Sequence, residues 1–303
     1  MAEGTVSVRA KLGGLWLFTR PHAFIGTCIE ALALYILALS AANSAEFSGF
    51  VVCFLAIIAM HIYGMGVNQL ADMEVDRINK PFLPLISGSI SITEGKWITF
   101  ATGVIALIIG SIYSLHLLGT LTLLMFMLTT YSLPPTHFKN HWLSAALVIA
   151  LSRSLIFGAG YFFVFTDGLS PKEWPPLAVG LLGFIFVFTG IIALTKDVPD
   201  LKGDRKFAIQ SLASLLGEEK TLKLGFGVLL SLFIATGLLG CLGVFGNSWL
   251  IFAIGHTLQI ALLTHYFRRV NHSRHKELVS YYMSLWNLFY IEFGIFVLAS
   301  FVA

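Results

Sequence analysis

Two groups of oxygen-bearing side chains could do chemistry in this chain: Asn68, Asp72 and Asp76, and Asp197, Asp200 and Asp204, each at the end of an apolar stretch. Only 12% of the residues are charged, and carboxylates gathered at membrane depth are costly unless a cation sits among them. At about 100° per residue, positions 68, 72 and 76 fall within roughly 80° of arc, and 197, 200 and 204 within roughly 60°. Each trio therefore presents its oxygens on one helix face. Such oxygens suit a hard divalent cation such as Mg²⁺, which keeps part of its water and is commonly held by a few carboxylates plus substrate phosphate oxygens. The plainer alternative is a pair of solvated helix ends whose acids pair with Arg77, Lys80, Lys202 and Arg205. Two matched trios on the same side of a membrane favour the metal.

The elements that must position these residues are membrane helices. Hydrophobic residues make up 57% of the 303, with 26 Phe and a mean hydropathy of +0.84, more apolar surface than one soluble core can hide. Apolar runs of spanning length recur at 22–42, 49–71, 95–114, 117–134, 142–166, 175–195, 222–243, 247–267 and 280–302, which predicts an all-α integral membrane protein with nine transmembrane helices. Gly119 and His116 mark the separation of the third and fourth runs. With nine spans, every Lys and Arg except Lys172 and Arg153 falls on one side, a bias that fixes the orientation with the N-terminal segment 1–20 cytoplasmic, or on the equivalent organellar face. The acidic trios follow spans 2 and 6, four spans apart. That spacing predicts two four-helix repeats plus a ninth helix, forming a single membrane domain over 1–303.

Other readings of the composition fall away. The net charge of +3 reflects membrane topology, and no basic and aromatic interleaving suggests nucleic acid. Cys28, Cys53 and Cys241 lie inside predicted spans without metal-ligand spacing and read as small packing residues. The first apolar run is itself of spanning length, unlike a cleaved signal peptide.

Four segments carry a family resemblance. The run from Asn68 through Asp72, Asp76, Asn79, Lys80, Pro81 and Pro84 to Gly88, and the run from Lys196 through Asp197, Asp200 and Gly203 to Asp204, resemble the two signatures of the UbiA superfamily of intramembrane prenyltransferases. Phe18-Thr-Arg20-Pro21-His22 near the start and Tyr131-Ser132-Leu-Pro134-Pro135-Thr-His137-Phe-Lys139 after span 4 narrow the likeness to its homogentisate prenyltransferase branch. The branch usually has Arg where this chain has His137, so a fixed charge is replaced by a titratable one.

The resemblance implies transfer of a prenyl group from a prenyl diphosphate to an aromatic acceptor, foremost homogentisate with loss of its carboxylate, on the way to tocopherol or plastoquinone. It implies two Mg²⁺ ions on Asn68, Asp72, Asp76, Asp197, Asp200 and Asp204 that bridge the diphosphate, with Asp72, Asp76, Asp200 and Asp204 serving catalysis. It places Arg20, Asn68, Lys80, Tyr131, Ser132, Lys139 and Lys196 at the substrates, in a plasma, thylakoid or plastid membrane. Each basic residue has a plainer reading as a snorkelling anchor at a span boundary, and Tyr131 as an interfacial aromatic. Arg153 is different, because a guanidinium within span 5 costs about 2.5–3.5 kcal/mol. It is expected to meet the diphosphate, or else to pair with an acid in a structural role. His22, His61 and His256 read as local hydrogen-bonding or structural residues. Alternative acceptors are 4-hydroxybenzoate or a flavonoid-type phenol. A cation-coupled transporter is the alternative of another class, against which stands the placing of the acids at span ends rather than mid-membrane.

Overall fold

The computed structural model describes residues 7–42, 45–271 and 274–303, and is helical with no strands among them. Residues 1–6 of the predicted N-terminal segment lie outside the described residues. The helices are α1 (Val8–Phe18), α2 (Pro21–Ala41), α3 (Phe47–Ala71), α4 (Met73–Asn79), α5 (Pro84–Ser87), α6 (Ile92–Tyr113), α7 (Leu115–Ser132) and α8 (Trp142–Ala150). A π-helical segment, Leu151–Ala159, joins α8 to α9 (Gly160–Phe165) within one span. There follow α10 (Pro176–Thr195), α11 (Leu201–Lys206), α12 (Leu212–Leu216), α13 (Glu218–Cys241), α14 (Trp249–Arg269) and α15 (His275–Ser300). Among the described residues nine helical spans are long and apolar enough to cross a membrane: α2, α3, α6, α7, α8 to α9, α10, α13, α14 and α15.

Local chemistry sets their ends. Pro21 and Pro176 begin α2 and α10, where a missing N–H is harmless. Ser91 and Glu94 form a reciprocal capping box at α6. The break between the third and fourth spans falls at Ser114, not at His116 or Gly119. Ser114 is extended, and its Oγ accepts from the Leu117 N–H at 3.1 Å, so one residue both ends α6 and caps α7.

Burial follows a four-span rhythm. In α2 and α3, and again in α8 to α9 and α10, half or more of the most apolar window is buried, whereas in α6 and α7, and in α13 and α14, a third or less is. Two central spans followed by two peripheral ones thus occur twice, and α15, half buried, packs against α2, α10 and α14 to close the ring. Phe184 and Phe188 of α10, Phe233 of α13 and Phe289 of α15 are buried in successive ring contacts.

Lipid tails are as apolar as the helices, so close packing rather than water exclusion holds such spans together. Gly240 of α13 lies directly on Phe252 of α14, where a Cβ would overlap the ring. Gly240→Val is expected to destabilise the protein by about 1–3 kcal/mol, seen as a lower thermal midpoint in detergent, while Gly227→Val, which faces open space, should leave the midpoint unchanged.

Candidate active site

All thirteen residues that sequence reasoning selected line one cavity of about 540 Å³ at the face where α3 and α10 end. The trios do not ride on continuous helices, however. Helix α3 stops at Ala71, and Asp72 is the joint with α4; α10 stops at Thr195, and residues 196–200 turn before α11. The shared face survives because the backbone keeps a helical advance through both breaks. Asp72 N–H donates to the Asn68 carbonyl at 3.0 Å and Asp76 N–H to the Asp72 carbonyl at 2.8 Å. In the second motif the turn is tighter, with Asp200 N–H on the Asp197 carbonyl and Asp204 N–H on the Asp200 carbonyl, both at 3.2 Å.

Three loops are tied into one wall. The Gly203 N–H donates to Asn79 Oδ1 at 2.9 Å, and a Cβ on Gly203 would sit 2.5 Å from that amide, so only glycine admits the link between the motifs. Trp142 N–H donates to the Gln210 carbonyl and Gln210 N–H to the Asn140 carbonyl, each at 2.9 Å, which fixes the loop bearing Lys139 beside the second motif. Arg20 holds a left-handed backbone (φ 52°) just before Pro21, a strained conformation for a residue with a Cβ. From there its guanidinium reaches Asn68 Oδ1 at 3.0 Å and Asp76 at 3.8 Å.

Ammonium groups stand among the carboxylates. Lys139 meets Asp72 at 2.5 Å, Lys196 meets Asp197 at 2.6 Å, and Lys80 bridges the motifs by pairing with Asp200 while lying 3.9 Å from Asp76. Among the described residues no three carboxylate, imidazole or thiol groups converge on one point; lysine nitrogens separate them. Even so, Asp76 Oδ2 and Asp204 Oδ2 are buried without a hydrogen-bond partner. Burial pushes the Asp76 and Asp197 carboxyls above the usual carboxylate range, and burial with Asp197 and Asp200 nearby raises Asp204 to about 7. Orphaned carboxylate oxygens held against their ionisation fit a hard cation as the missing partner.

Arg153 sits apart from this cluster. Its Nε donates to Glu30 at 2.7 Å, and its guanidinium lies 5.6 Å from the Trp286 ring centre and 5.2 Å from that of Phe289. Glu30 is fully buried and was not singled out in the sequence; a lone acid in an apolar span was its only signal. A second acid within a span, Glu292, accepts from Gln259 and lies 3.3 Å from His256. Acids are thus not confined to span ends, but both of these are partnered inside the packed bundle. His61 is structural as read: its ring bonds the Thr19 carbonyl at 2.9 Å and the Thr27 hydroxyl at 3.1 Å. His137 lies outside the cavity lining and contacts Asn140.

A helical membrane bundle with paired aspartate motifs at the mouth of an apolar cavity is the architecture of an intramembrane prenyltransferase. The profile of the UbiA prenyltransferase family matches residues 30–288, and the chain belongs to that family. It is 35% identical to a homogentisate phytyltransferase of Synechocystis sp., over 96% of both chains. It is 33% identical to the chloroplastic homogentisate solanesyltransferase of Arabidopsis thaliana, over 93% of this chain and 75% of that one. Among solved structures, a UbiA homologue from Archaeoglobus fulgidus bound to GPP and Mg²⁺ shares the fold with a TM-score of 0.61 at 20% identity, covering 94% of this chain and 99% of that one. An apo UbiA homologue from Aeropyrum pernix K1 gives 0.65 at 18% identity, covering 91% and 98%.

The raised Asp204 sets a pH dependence. Below about pH 7 its carboxyl holds a proton that a divalent cation must displace, so apparent cation affinity should fall by up to about tenfold per pH unit on acidification and level off above neutrality. Titration with Mn²⁺ followed by electron paramagnetic resonance checks this, and Asp204→Asn should flatten the profile.

Proposed function

We propose that this protein transfers a prenyl group from a prenyl diphosphate to homogentisate, with loss of the acceptor carboxylate as carbon dioxide, in tocopherol- or plastoquinone-type quinone synthesis. The observation that carries the reading is the pairing of two aspartate motifs with an apolar cavity under them. A prenyl diphosphate has the same division, a hydrocarbon tail and a highly charged head. The tail would lie along Ile57, Met60, Leu124, Leu128 and Phe157, which line the cavity, and the head would sit at the aspartates.

Asn68, Asp72 and Asp76 on one side and Asp197, Asp200 and Asp204 on the other would hold Mg²⁺, two ions in this reading, which supplies neutralising charge for the diphosphate leaving group. Lys80, Lys139, Lys196 and Arg20 then exchange their carboxylate partners for diphosphate oxygens. Such cations stabilise charge that grows as the bond breaks, so they favour the transition state over the bound substrate. The C1–O bond of the donor breaks with its electron pair on the diphosphate. An acceptor ring carbon forms the new bond to C1 and gives up its proton. The bond to the carboxyl carbon breaks, its pair staying on the benzylic carbon, which takes up a proton. Tyr131 and Ser132 line the cavity, the buried Ser132 Oγ has no hydrogen-bond partner among the described residues, and both would orient substrate in this reading.

The lysine- and arginine-rich loops support a reading in which the motif face is on the cytoplasmic or stromal side. A further phenolic acceptor has one observation in its favour, since a chloroplastic coumarin 8-geranyltransferase of Citrus limon is 32% identical over 93% of this chain and 72% of that one.

The purified protein with homogentisate, a panel of prenyl diphosphates and Mg²⁺ should yield a lipid-soluble prenylated product detectable by mass spectrometry, and EDTA should abolish it. Asp72→Asn and Asp204→Asn should each lower kcat at least about a hundredfold, roughly 2.7 kcal/mol of barrier, whereas Glu218→Gln outside the motifs should change little. Full turnover in metal-free buffer, or equal behaviour of all three variants, would refute the mechanism.

A further inference from the structure

The cavity has two unlike walls. On the side of α3 and α7 it is largely aliphatic, with Ile57, Met60, Leu124 and Leu128, and has one ring on each helix, His61 and Tyr131. On the side of α2 and α15 it is aromatic, with His22, Tyr282 and Trp286. His22 meets the other two edge-on, its ring centre 5.2 Å from Trp286 and 6.0 Å from Tyr282. Aliphatic surface suits a prenyl chain; rings set edge to face suit another flat ring.

Arg153 joins this aromatic wall. Its Nε is held by Glu30 and its guanidinium by Trp286 and Phe289, yet Nη2 is buried without a hydrogen-bond partner. The neighbouring Ser152 Oγ is likewise buried, unpartnered and on the cavity lining. A Cβ on Gly26 of α2 would come within 3.0 Å of both Nη2 and the Trp286 ring, so glycine there leaves the guanidinium its place. A buried charged donor left open is expensive, and a donor so firmly oriented is prepared for a partner.

We propose that the wall between α2 and α15 binds the aromatic acceptor and that Arg153 anchors its carboxylate through Nη2, with Ser152 Oγ beside it. This rests on the reading of homogentisate as acceptor. It departs from the expectation that Arg153 serves the diphosphate. Four cationic side chains already stand at the aspartates, while Arg153 lies eleven residues beyond Trp142, about 16 Å along the span. Glu30 takes one of the guanidinium's five N–H donors, and its carboxylate stands beside the open ones, so a singly charged acceptor carboxylate meets less repulsion here than a polyanion would. Once the carboxylate has left as carbon dioxide, the product keeps no charged contact here, which favours its release into lipid.

The test compares wild type, Arg153→Lys, and the charge-neutral double variant Glu30→Gln/Arg153→Gln, which leaves no buried carboxylate unpaired. Thermal unfolding in detergent verifies that each is folded. Homogentisate and the prenyl donor are titrated in turnover, and binding of homogentisate and of its methyl ester without donor is followed by tryptophan fluorescence. The expected result is that wild type binds homogentisate at least tenfold more tightly than the ester in the same binding assay, a comparison in Kd because the ester cannot lose its carboxyl as carbon dioxide. Both variants should lose that preference, with the homogentisate KM and Kd raised at least tenfold and the donor KM within twofold of wild type. A shift in donor KM larger than that for homogentisate, or an unchanged preference for the acid, overturns the anchor alone. Wild-type protein that neither binds nor prenylates homogentisate overturns both the anchor and the proposed function.

Discussion

Five aspartates held side by side in a half-buried cavity repel one another, and the structure keeps them there only because cations stand between them. Two unit charges about 4 Å apart interact by about 4 kcal/mol at the effective dielectric of a protein surface, so positive charges beside the aspartates offset their repulsion. Arg20, Lys80, Lys139 and Lys196 supply four, all on loops that the fold ties together. Burial first, and then the nearby Asp197 and Asp200, raises the ionisation of Asp204. In the proposed loaded state, two divalent ions and a diphosphate with three negative charges bring one net positive charge, which balances the five ionised aspartates and four cations. The same side chains thus pair with the aspartates and, in that proposed state, would receive the leaving group.

The bundle below the aspartates is organised to hold those loops. Two central spans in each half end at the motif face, and the Asn79–Gly203 hydrogen bond and the Lys80–Asp200 pair join one half to the other. The peripheral spans meet lipid and contribute packing. The mid-span charges follow a different rule: Glu30 pairs with Arg153, and Glu292 with Gln259 and His256, inside the bundle, while Glu30 Oε1, Arg153 Nη2 and Glu292 Oε1 keep no hydrogen-bond partner among the described residues. Buried groups of this kind are tolerated in a membrane when they are paired.

Much of this is legible in the chain because the signals are local. Spanning length, the one-sided distribution of Lys and Arg, and the three- and four-residue spacing of the aspartates each occupy a short stretch of sequence. What escaped is of two kinds. The helix breaks at Asp72 and at 196–200 leave the same spacing as an unbroken helix, since the turns keep a helical advance, and Ser114 acts as a cap that looks like any polar residue between apolar runs. The partners of Arg153 and Lys80 were invisible because they are 123 and 120 residues away, and only the folded arrangement of spans brings Glu30 and Asp200 to them.

The central claim is that the two motifs act as one site on one diphosphate. A double-mutant cycle in equilibrium binding addresses it directly: the affinity for a non-reacting prenyl thiodiphosphate, with Mg²⁺ present, of wild type, Asp72→Asn, Asp204→Asn and the double variant. One shared site predicts strong coupling, each single change removing most of the Mg²⁺-dependent affinity and the double change removing little more. Fully additive losses would mean that the motifs bind independently, and would contradict the account.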